Sequence, residues 1–245
     1  MFYKLIKSKR DQWISESDCP VLNLVNYIED KGKMRDAQID AIKTYLFLKI
    51  ACGNKPLAEL LKSGHLNSLT DSDIDNLPMS AESRQTIKLN PAAIALYEFA
   101  SSTDDQGNVI APQLATSILG KPKKIDFDAV IDKIFYGVSY SDYVFSLPMG
   151  AGKTYLMAAF IYLDLYFAQQ EPDNKAFAHN FMVLVPSGLK TSVIPSLRTI
   201  QDFDPSWIIP EPAASNLKRE LKFEMLDENK VRTSQTGPKT RMFKK

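Results

Sequence analysis

The sequence predicts an α/β fold, in which a parallel sheet is flanked by helices, together with an all-helical insertion. Strand and helix patterns alternate in the second half of the chain, where the expected elements are residues 142–147, 153–168, 181–185 and 189–200. This order is typical of parallel strands joined by right-handed crossovers. Residues 56–135 instead show only short helical patterns between polar turns.

The N-terminal segment, residues 1–55, contains one clear helix. Residues 2–6 alternate weakly, which indicates a short strand, whereas residues 21–27 are compatible with strand or helix. From Asp36 onward, apolar side chains recur at helical spacing, namely Ile39, Ile42, Leu46 and Ile50. Gly53 and Pro56 are expected to end this helix.

The insertion, residues 56–135, is predicted to be a small helical module. Its expected helices are residues 57–61, 91–99, 111–119 and 127–135. Pro91 suits a first helical turn. Residues 67–76 and 101–108 are predicted loops. The module is interpreted as an insertion that contacts a partner or DNA, although nothing in its sequence names the contact.

Residues 136–229 form the predicted α/β part. A helix near residues 213–221 and a strand near 223–226 are expected after the proline-rich stretch 204–212. Residues 230–245 contain six Lys or Arg and no acid, which predicts a disordered basic tail.

A phosphate-binding loop is the clearest functional signal. Residues 146–154 read Ser-Leu-Pro-Met-Gly-Ala-Gly-Lys-Thr between a predicted strand and helix. Backbone N–H groups of such a turn, together with the positive end of the following helix, suit a polyphosphate. Lys153 supplies a charge for the phosphates, and the Thr154 hydroxyl can ligate Mg²⁺. The nucleotide-binding residues expected here are Met149, Gly150, Ala151, Gly152, Lys153 and Thr154, of which Lys153 and Thr154 are the catalytic candidates.

This loop departs from the strict phosphate-loop pattern, which has a glycine six residues before the lysine. The chain has Leu147 at that position, whereas the end of the pattern, Gly-x-Gly-Lys-Thr, is intact. The alternative is a glycine turn with a lysine that stands there by chance.

Composition excludes several other classes of protein. The formal net charge of +1 gives no global nucleic-acid signature, so any such contact must be local. Cys19 and Cys52 are far apart and lack metal-type spacing, which favours reduced thiols in a cytoplasmic protein. The N-terminus lacks the apolar core of a signal peptide. The apolar run 155–163, which Asp164 interrupts, is shorter than the roughly 20 residues of a membrane span. No membrane association is expected.

Three elements together resemble the first motor domain of superfamily 2 helicases, the DEAD/DEAH-box class. Within that class, the chain is most similar to the restriction subunit of type III restriction enzymes and to related defence helicases. The first element is the loop 147–154, which is similar to the relaxed form of motif I. The resemblance implies a partial RecA-like domain with a phosphate loop and, as cofactors, ATP and Mg²⁺.

The other two elements flank this loop in sequence. Residues 34–42, Met-Arg-Asp-Ala-Gln-Ile-Asp-Ala-Ile, resemble the glutamine element that precedes motif I, which implies that Gln38 binds the adenine edge. Residues 183–192 resemble motif Ia, which holds the phosphates of a nucleic-acid strand. The implied DNA-backbone contacts are Ser187, Lys190 and Ser192. The alternative for Gln38 is an ordinary polar residue on an amphipathic helix. The alternative for residues 183–192 is a routine capped helix start.

The chain departs from the family in two respects. Gln38 and Lys153 are 115 positions apart, with the helical module between them. A motor of this class needs a carboxylate pair that holds magnesium, and the only Asp-Glu in this half of the chain, Asp227-Glu228, lies earlier in the sequence than expected for that motif. A second motor domain, which the family also requires, does not follow. The resemblance therefore implies the N-terminal part of a longer ATP-dependent helicase or translocase. A modification or nuclease subunit is the implied partner.

The isolated chain is accordingly expected to bind nucleotide weakly and to hydrolyse it negligibly. Two alternatives belong to other functional classes. One is a non-catalytic interaction module in which ATP only orders the loop and the helical module binds a protein. The other is a small-molecule kinase with a phosphate loop, for which the sequence shows no acceptor site.

Overall fold

The computed structural model describes residues 2–104, 106–184 and 198–223, and these residues are mostly helical. The α-helices, numbered in chain order, are α1 (Tyr3–Ser15), α2 (Leu22–Lys31), α3 (Asp36–Leu46), α4 (Leu57–Lys62), α5 (Asp71–Asp75), α6 (Ala81–Lys88), α7 (Pro91–Ser101), α8 (Pro112–Gly120), α9 (Phe127–Ile134) and α10 (Lys153–Gln170). Residues 198–202 are also helical, and a last helix spans Ala213–Glu220. Short 3-10 turns occupy Pro122–Lys124 and Pro205–Trp207.

The predicted α/β fold is wrong. Within the described ranges there is no β-strand, and the single bridge pairs Thr103 with Val109. The expected strand 142–147 is extended, but none of its backbone groups bonds to the backbone of another described segment. Residues 181–184 likewise form no backbone bond to another described segment. A parallel sheet requires neighbouring strands, and the inward side chains here pack on helices instead. The partial RecA-like domain is therefore not supported.

Along residues 141–147, partly buried and exposed side chains alternate. Phe145 and Leu147 are partly buried against the helices, whereas Val144 is 88% exposed. The Tyr143 hydroxyl donates to the Lys55 carbonyl at 2.5 Å. Ser141 donates to the Asn54 carbonyl. Side chains, rather than a β-ladder, thus hold this segment.

A first hydrophobic cluster surrounds α10. Helices α2 and α3, the helical residues 198–202 and the helix Ala213–Glu220 all contribute buried side chains to it. Helix α10 is buried along much of its length, with Ala158, Ala159 and Leu163 fully enclosed. Such a helix has no single apolar stripe because neighbours cover it from several sides.

A second hydrophobic cluster lies within the insertion and centres on α7, whose Ala93, Leu96 and Ala100 are buried. The four helices that the sequence predicts between residues 57 and 135 are confirmed as α4, α7, α8 and α9. Helices α5 and α6 were missed, since α5 lies in a stretch predicted to be a loop. The proposed limits of the insertion stay a prediction.

The N-terminal residues differ from expectation. The weak strand expected at residues 2–6 is part of α1, and the undecided stretch 21–27 falls mainly in α2. Helix α1 packs on α3 through Arg10, which is only 2% exposed. The Arg10 guanidinium donates to the Thr44 hydroxyl at 2.7 Å and pairs with Asp40 at 2.8 Å. The paired Arg10 therefore anchors α1 together with Ile6, which is buried in the second hydrophobic cluster described above.

Helix α3 continues into one π-helical turn, Phe47–Ala51. The two hydrophobic clusters meet at this point of the chain. Leu46, at the end of α3, is buried in the first cluster, whereas Phe47 and Leu48 of the π-helical turn are buried in the second. Trp13 and Phe145 also pack against both. The two clusters are therefore joined by shared aromatic side chains.

Candidate functional site

The loop between residues 148 and 154 turns sharply before α10 begins. Ala151 N–H donates to the Pro148 carbonyl at 3.2 Å. Gly150 and Gly152 have φ of 78° and 80°, a left-handed conformation that favours glycine. Gly152 is the N-cap of α10, so Lys153 and Thr154 are its first two residues. The predicted loop-to-helix junction is therefore present, without the predicted sheet behind it.

The first turn of α10 leaves backbone donors open. Among the described residues, no acceptor bonds the N–H groups of Lys153, Thr154 or Tyr155. Helix α10 has 18 residues, and its aligned peptide dipoles place partial positive charge at this end. Open donors on a positive helix end favour an anionic ligand.

The side chains of the loop are arranged toward solvent. Lys153 is exposed and forms no ion pair with a carboxylate of the described residues. Thr154 is half-buried, as are Ala151 and Gly152, whereas Met149 is fully exposed. Within the described part of the chain, Lys153 is therefore an unpaired cation carried by the same helical turn as the open N–H groups.

The glutamine element lies directly against this loop, although 114 positions separate Gln38 from Gly152. Gln38 Nε2 donates to the Gly152 carbonyl at 2.8 Å. Arg35 donates through Nη1 to the Gly150 carbonyl. Two carbonyls of the loop are thus bound from the start of α3, and the Gly152 carbonyl also accepts from the Leu156 N–H at 3.1 Å.

Gln38 itself has little freedom. Its Oε1 accepts from the Arg35 N–H at 2.9 Å, and the residue is 3% exposed. One amide hydrogen and one oxygen lone pair remain unused by these contacts. The structure places Gln38 at the loop, whereas its adenine role stays a prediction that requires a base to approach a buried amide.

Aromatic residues that sequence reasoning did not assign to the site stand beside the loop. Tyr155, which follows Thr154, stacks on Trp207 with ring centroids 5.7 Å apart and planes 6° apart. Phe203 meets Trp207 edge-on at 5.5 Å. From the sequence, Trp207 could be assigned only to the proline-rich stretch 204–212. Its contact with Tyr155 joins residues 52 positions apart and therefore leaves no local sequence pattern.

A buried polar cluster fixes α10 further along. Asp164 accepts from Lys49 at 3.1 Å, from the Tyr45 hydroxyl at 2.7 Å and from the Ala178 N–H at 3.0 Å. Burial and the Asp164 charge together raise the pKa of Tyr45. The only sequence signal for this cluster was that Asp164 interrupts an apolar run. Its contacts join α10 to the π-helical turn and therefore hold the helix that carries Lys153 and Thr154.

Some predicted site residues are beyond the described parts of the chain. The motif Ia candidates Ser187, Lys190 and Ser192 lie there, as do Asp227-Glu228 and the basic tail. Among the residues that are described, no group of three or more His, Cys, Asp or Glu could hold a metal ion. The role of Thr154 as a Mg²⁺ ligand therefore stays a prediction.

Comparison with known proteins finds no matching family model, no matching curated protein and no matching solved structure. The helicase resemblance accordingly rests on the three short elements alone. No helix in the described ranges is both long and apolar enough to cross a membrane. The cytoplasmic location stays a prediction.

Proposed function

We propose that this chain binds the triphosphate of ATP at the loop 148–154. The observation that carries the proposal is the open first turn of α10, where three N–H groups lack acceptors among the described residues beside the unpaired Lys153. Arg35 and Gln38 bind the carbonyls of Gly150 and Gly152. A phosphate on this face would thus meet donors and one ammonium group.

The residues present fit the phosphates, and they provide one hydroxyl for the metal ion. Thr154 would hold Mg²⁺, which in nucleotide sites takes most of its other ligands from phosphates and water. Bound Mg-ATP would supply a transferable γ-phosphoryl group. Lys153 would orient the phosphates and offset their charge, and the backbone N–H groups would fix their position.

The wider proposal is an ATP-dependent DNA helicase or translocase of restriction or phage-defence type. It is supported by the sequence of the loop and by the placement of Gln38 against Gly152. The DNA-backbone contacts at Ser187, Lys190 and Ser192 are proposed from the motif resemblance. A modification or nuclease subunit is the proposed partner. ATP hydrolysis is proposed for the intact motor, and little is expected from the isolated chain.

A second candidate is a nucleotide-dependent interaction module without catalysis. One observation favours it: among the described residues, no group of three or more His, Cys, Asp or Glu could hold a metal ion, whereas hydrolysis by a motor relies on carboxylates that hold magnesium and position the attacking water. In this case nucleotide would order the loop, and the helical insertion would bind a protein.

Calorimetric titration of Mg-ATP into the full chain tests the phosphate site. Lys153→Ala is expected to weaken binding at least tenfold, because it removes the only ammonium assigned to the phosphates. Lys124→Ala is the matched control, since Lys124 is also exposed but belongs to the insertion. Equal ATP affinity in wild type and Lys153→Ala, or no ATP binding by a folded wild-type chain, would contradict the proposal.

Repeating the titration with single-stranded DNA separates the two candidates. A motor couples its two ligands, so DNA should change the ATP affinity of the wild-type chain, and by reciprocity ATP should change its DNA affinity. The interaction module predicts identical ATP affinity with and without DNA. Phosphate release that DNA stimulates and Lys153→Ala abolishes would also decide for the motor, and it would contradict the low turnover expected of the isolated chain.

A further inference from the structure

The aromatic group beside the loop has the form of a rigid, partly open platform. Tyr155 and Trp207 are stacked nearly parallel, and Tyr155 remains 40% exposed. Phe203, which is buried, meets both rings at steep angles. The ring pair is therefore supported from behind while part of Tyr155 stays accessible to solvent.

The segment that carries Trp207 is held in place by short-range bonds. Asp204 accepts from the Ser206 N–H at 3.0 Å at the start of the turn Pro205–Trp207. The Tyr27 hydroxyl donates to the Ser206 carbonyl at 2.7 Å, which joins the turn to α2. Because the indole is fixed before any ligand arrives, little ordering entropy would be lost on binding.

Gly152 connects this platform to the phosphate loop. A Cβ built at Gly152 would lie 3.8 Å from Tyr155 Cδ2 and 2.6 Å from Gln38 Nε2. The tyrosine ring and the amide therefore border the same backbone position, directly before the open N–H groups of α10. A nucleotide whose phosphates occupy those donors would have an aromatic ring close to the loop.

We infer that Tyr155, supported by Trp207, stacks on the nucleobase of the nucleotide whose phosphates bind the loop. This inference rests on the proposed function. The Gln38 side chain already donates to the Gly152 carbonyl and accepts from the Arg35 N–H. Stacking on Tyr155 therefore provides most of the contact with the base. Every nucleobase has a π-face, and stacking alone selects weakly among bases. The site therefore accepts purine nucleoside triphosphates broadly, GTP as well as ATP.

The test compares Mg-ATP, Mg-GTP and inorganic Mg-tripolyphosphate, which lacks a base, on the full chain. Tyr155→Leu is expected to weaken ATP and GTP binding about tenfold, within the range for one stacked base. It should leave tripolyphosphate affinity unchanged. Tyr140→Leu is the matched control, because Tyr140 is an exposed tyrosine of the segment before the loop.

The outcomes separate the inference from the proposed function. Tyr155→Leu with wild-type ATP affinity, or with an equal loss for tripolyphosphate, overturns the platform and leaves the phosphate site intact. A more than tenfold preference for ATP over GTP overturns the broad base acceptance. If Lys153→Ala changes none of the three affinities, the phosphate site fails and the platform fails with it.

Fluorescence gives a second readout that a purely structural role of Tyr155 would not produce. The chain has two tryptophans, Trp13 and Trp207, and Trp13 packs between the two clusters. ATP is expected to change the tryptophan emission of the wild type but not of Trp207→Phe, which keeps an aromatic ring. Tripolyphosphate should change neither. An ATP response that persists in Trp207→Phe contradicts base stacking near this indole.

Discussion

The helical insertion and the loop region satisfy their backbone groups in different ways. In the insertion, most helix starts are closed by nearby side chains: Ser80 accepts from the Ser83 N–H, Asn90 from Ala93 and Asp126 from Ala129. Helices α4 and α8 of the insertion begin without a side-chain cap, but each has a proline at or next to its start. In the loop region, the start of α10 has no such cap, and Gly152 precedes it. Capped helix starts serve stability, whereas an open start remains available to a ligand.

The helix starts of the insertion are bonded by side chains close in sequence, whereas the loop 148–154 is bonded by residues far away in sequence. Thr70 and Asp73 bond to each other at the start of α5. The carbonyls of Gly150 and Gly152 are bound instead by Arg35 and Gln38, more than a hundred positions earlier. The shape of the loop therefore depends on the correct packing of α3 against α10.

The largest expected effect lies at the junction between the two regions. Asp164→Asn leaves the Lys49 ammonium buried without a countercharge, since the two side chains are 2% and 9% exposed. Such a change is expected to lower the free energy of unfolding by about 3–5 kcal/mol, measured by urea denaturation. Glu82→Gln, which breaks the exposed pair with Lys123, is the control with little expected effect. A small loss for Asp164→Asn would show that solvent reaches the pair.

Apolar truncation contrasts the interior of the insertion with the exposed side of the extended segment before the loop. Leu96→Ala in α7 is expected to cost about 2–5 kcal/mol, because Leu96 is 2% exposed. Val144→Ala in the extended segment should change stability by less than about 0.5 kcal/mol, because Val144 is 88% exposed. A cost above about 2 kcal/mol for Val144→Ala would indicate that this segment lies inside a covered sheet.

Two glycines of the loop provide a matched pair. Both have positive φ, but a Cβ at Gly150 meets nothing within 4 Å, whereas one at Gly152 meets the Gln38 amide. Gly150→Ala is expected to cost about 1–2 kcal/mol from backbone strain alone. Gly152→Ala should cost about 1–3 kcal/mol more, since the buried amide loses its bond. Equal costs in thermal unfolding would mean that Gln38 moves aside freely.

The smallest expected effect is a pH dependence in the insertion. Burial raises the pKa of Glu98, whose Oε2 is buried and has no hydrogen-bond partner among the described residues. The backbone N–H groups of Leu69 and Ser68, which donate to Oε1, and the charge of Lys9 oppose this shift, whereas the charge of Asp73 reinforces it. With a raised folded-state pKa, the stabilising contribution is complete below about pH 4.3, the unfolded value, and is lost as pH rises through the folded value.

Glu98→Gln removes this titration. Relative to wild type, the variant should therefore gain stability between pH 4 and pH 7, as measured by denaturation at several pH values. Glu16→Gln, at an exposed carboxyl, is the control. A stability difference between Glu98→Gln and wild type that stays constant over this range would contradict a raised pKa.

Structure that depends on neighbours in sequence could be predicted, whereas structure that depends on distant contacts could not. Periodicity and caps are local, so the sequence indicated α3, α7 and α9 close to their observed bounds. The motif at 147–154 located the loop and the start of α10 for the same reason. Residues 142–147 were predicted to be a strand and are extended, but they pair with no other described segment. A sheet could not be predicted from this short apolar run, because pairing depends on partners elsewhere in the chain.

Only those residues of the candidate site that belong to short sequence motifs could be predicted. Loop residues and Gln38 were found by motif, and the structure places Gln38 on the loop. The stacking of Tyr155 on Trp207 and the Lys49–Asp164 pair could not be read from sequence, since each joins residues far apart along the chain. The contacts assigned to residues 187–192 stay predictions.

The shared aromatic side chains have a consequence for any attempt to divide this protein. Ile6 of α1 and Phe47 of the π-helical turn are buried with the insertion, and Trp13 and Phe145 touch both clusters. A fragment cut at residues 56 and 135 would leave these partners behind and expose apolar surface that the intact chain covers. Limited proteolysis should thus release no stable core of the insertion, and the two clusters should melt together in a single cooperative transition.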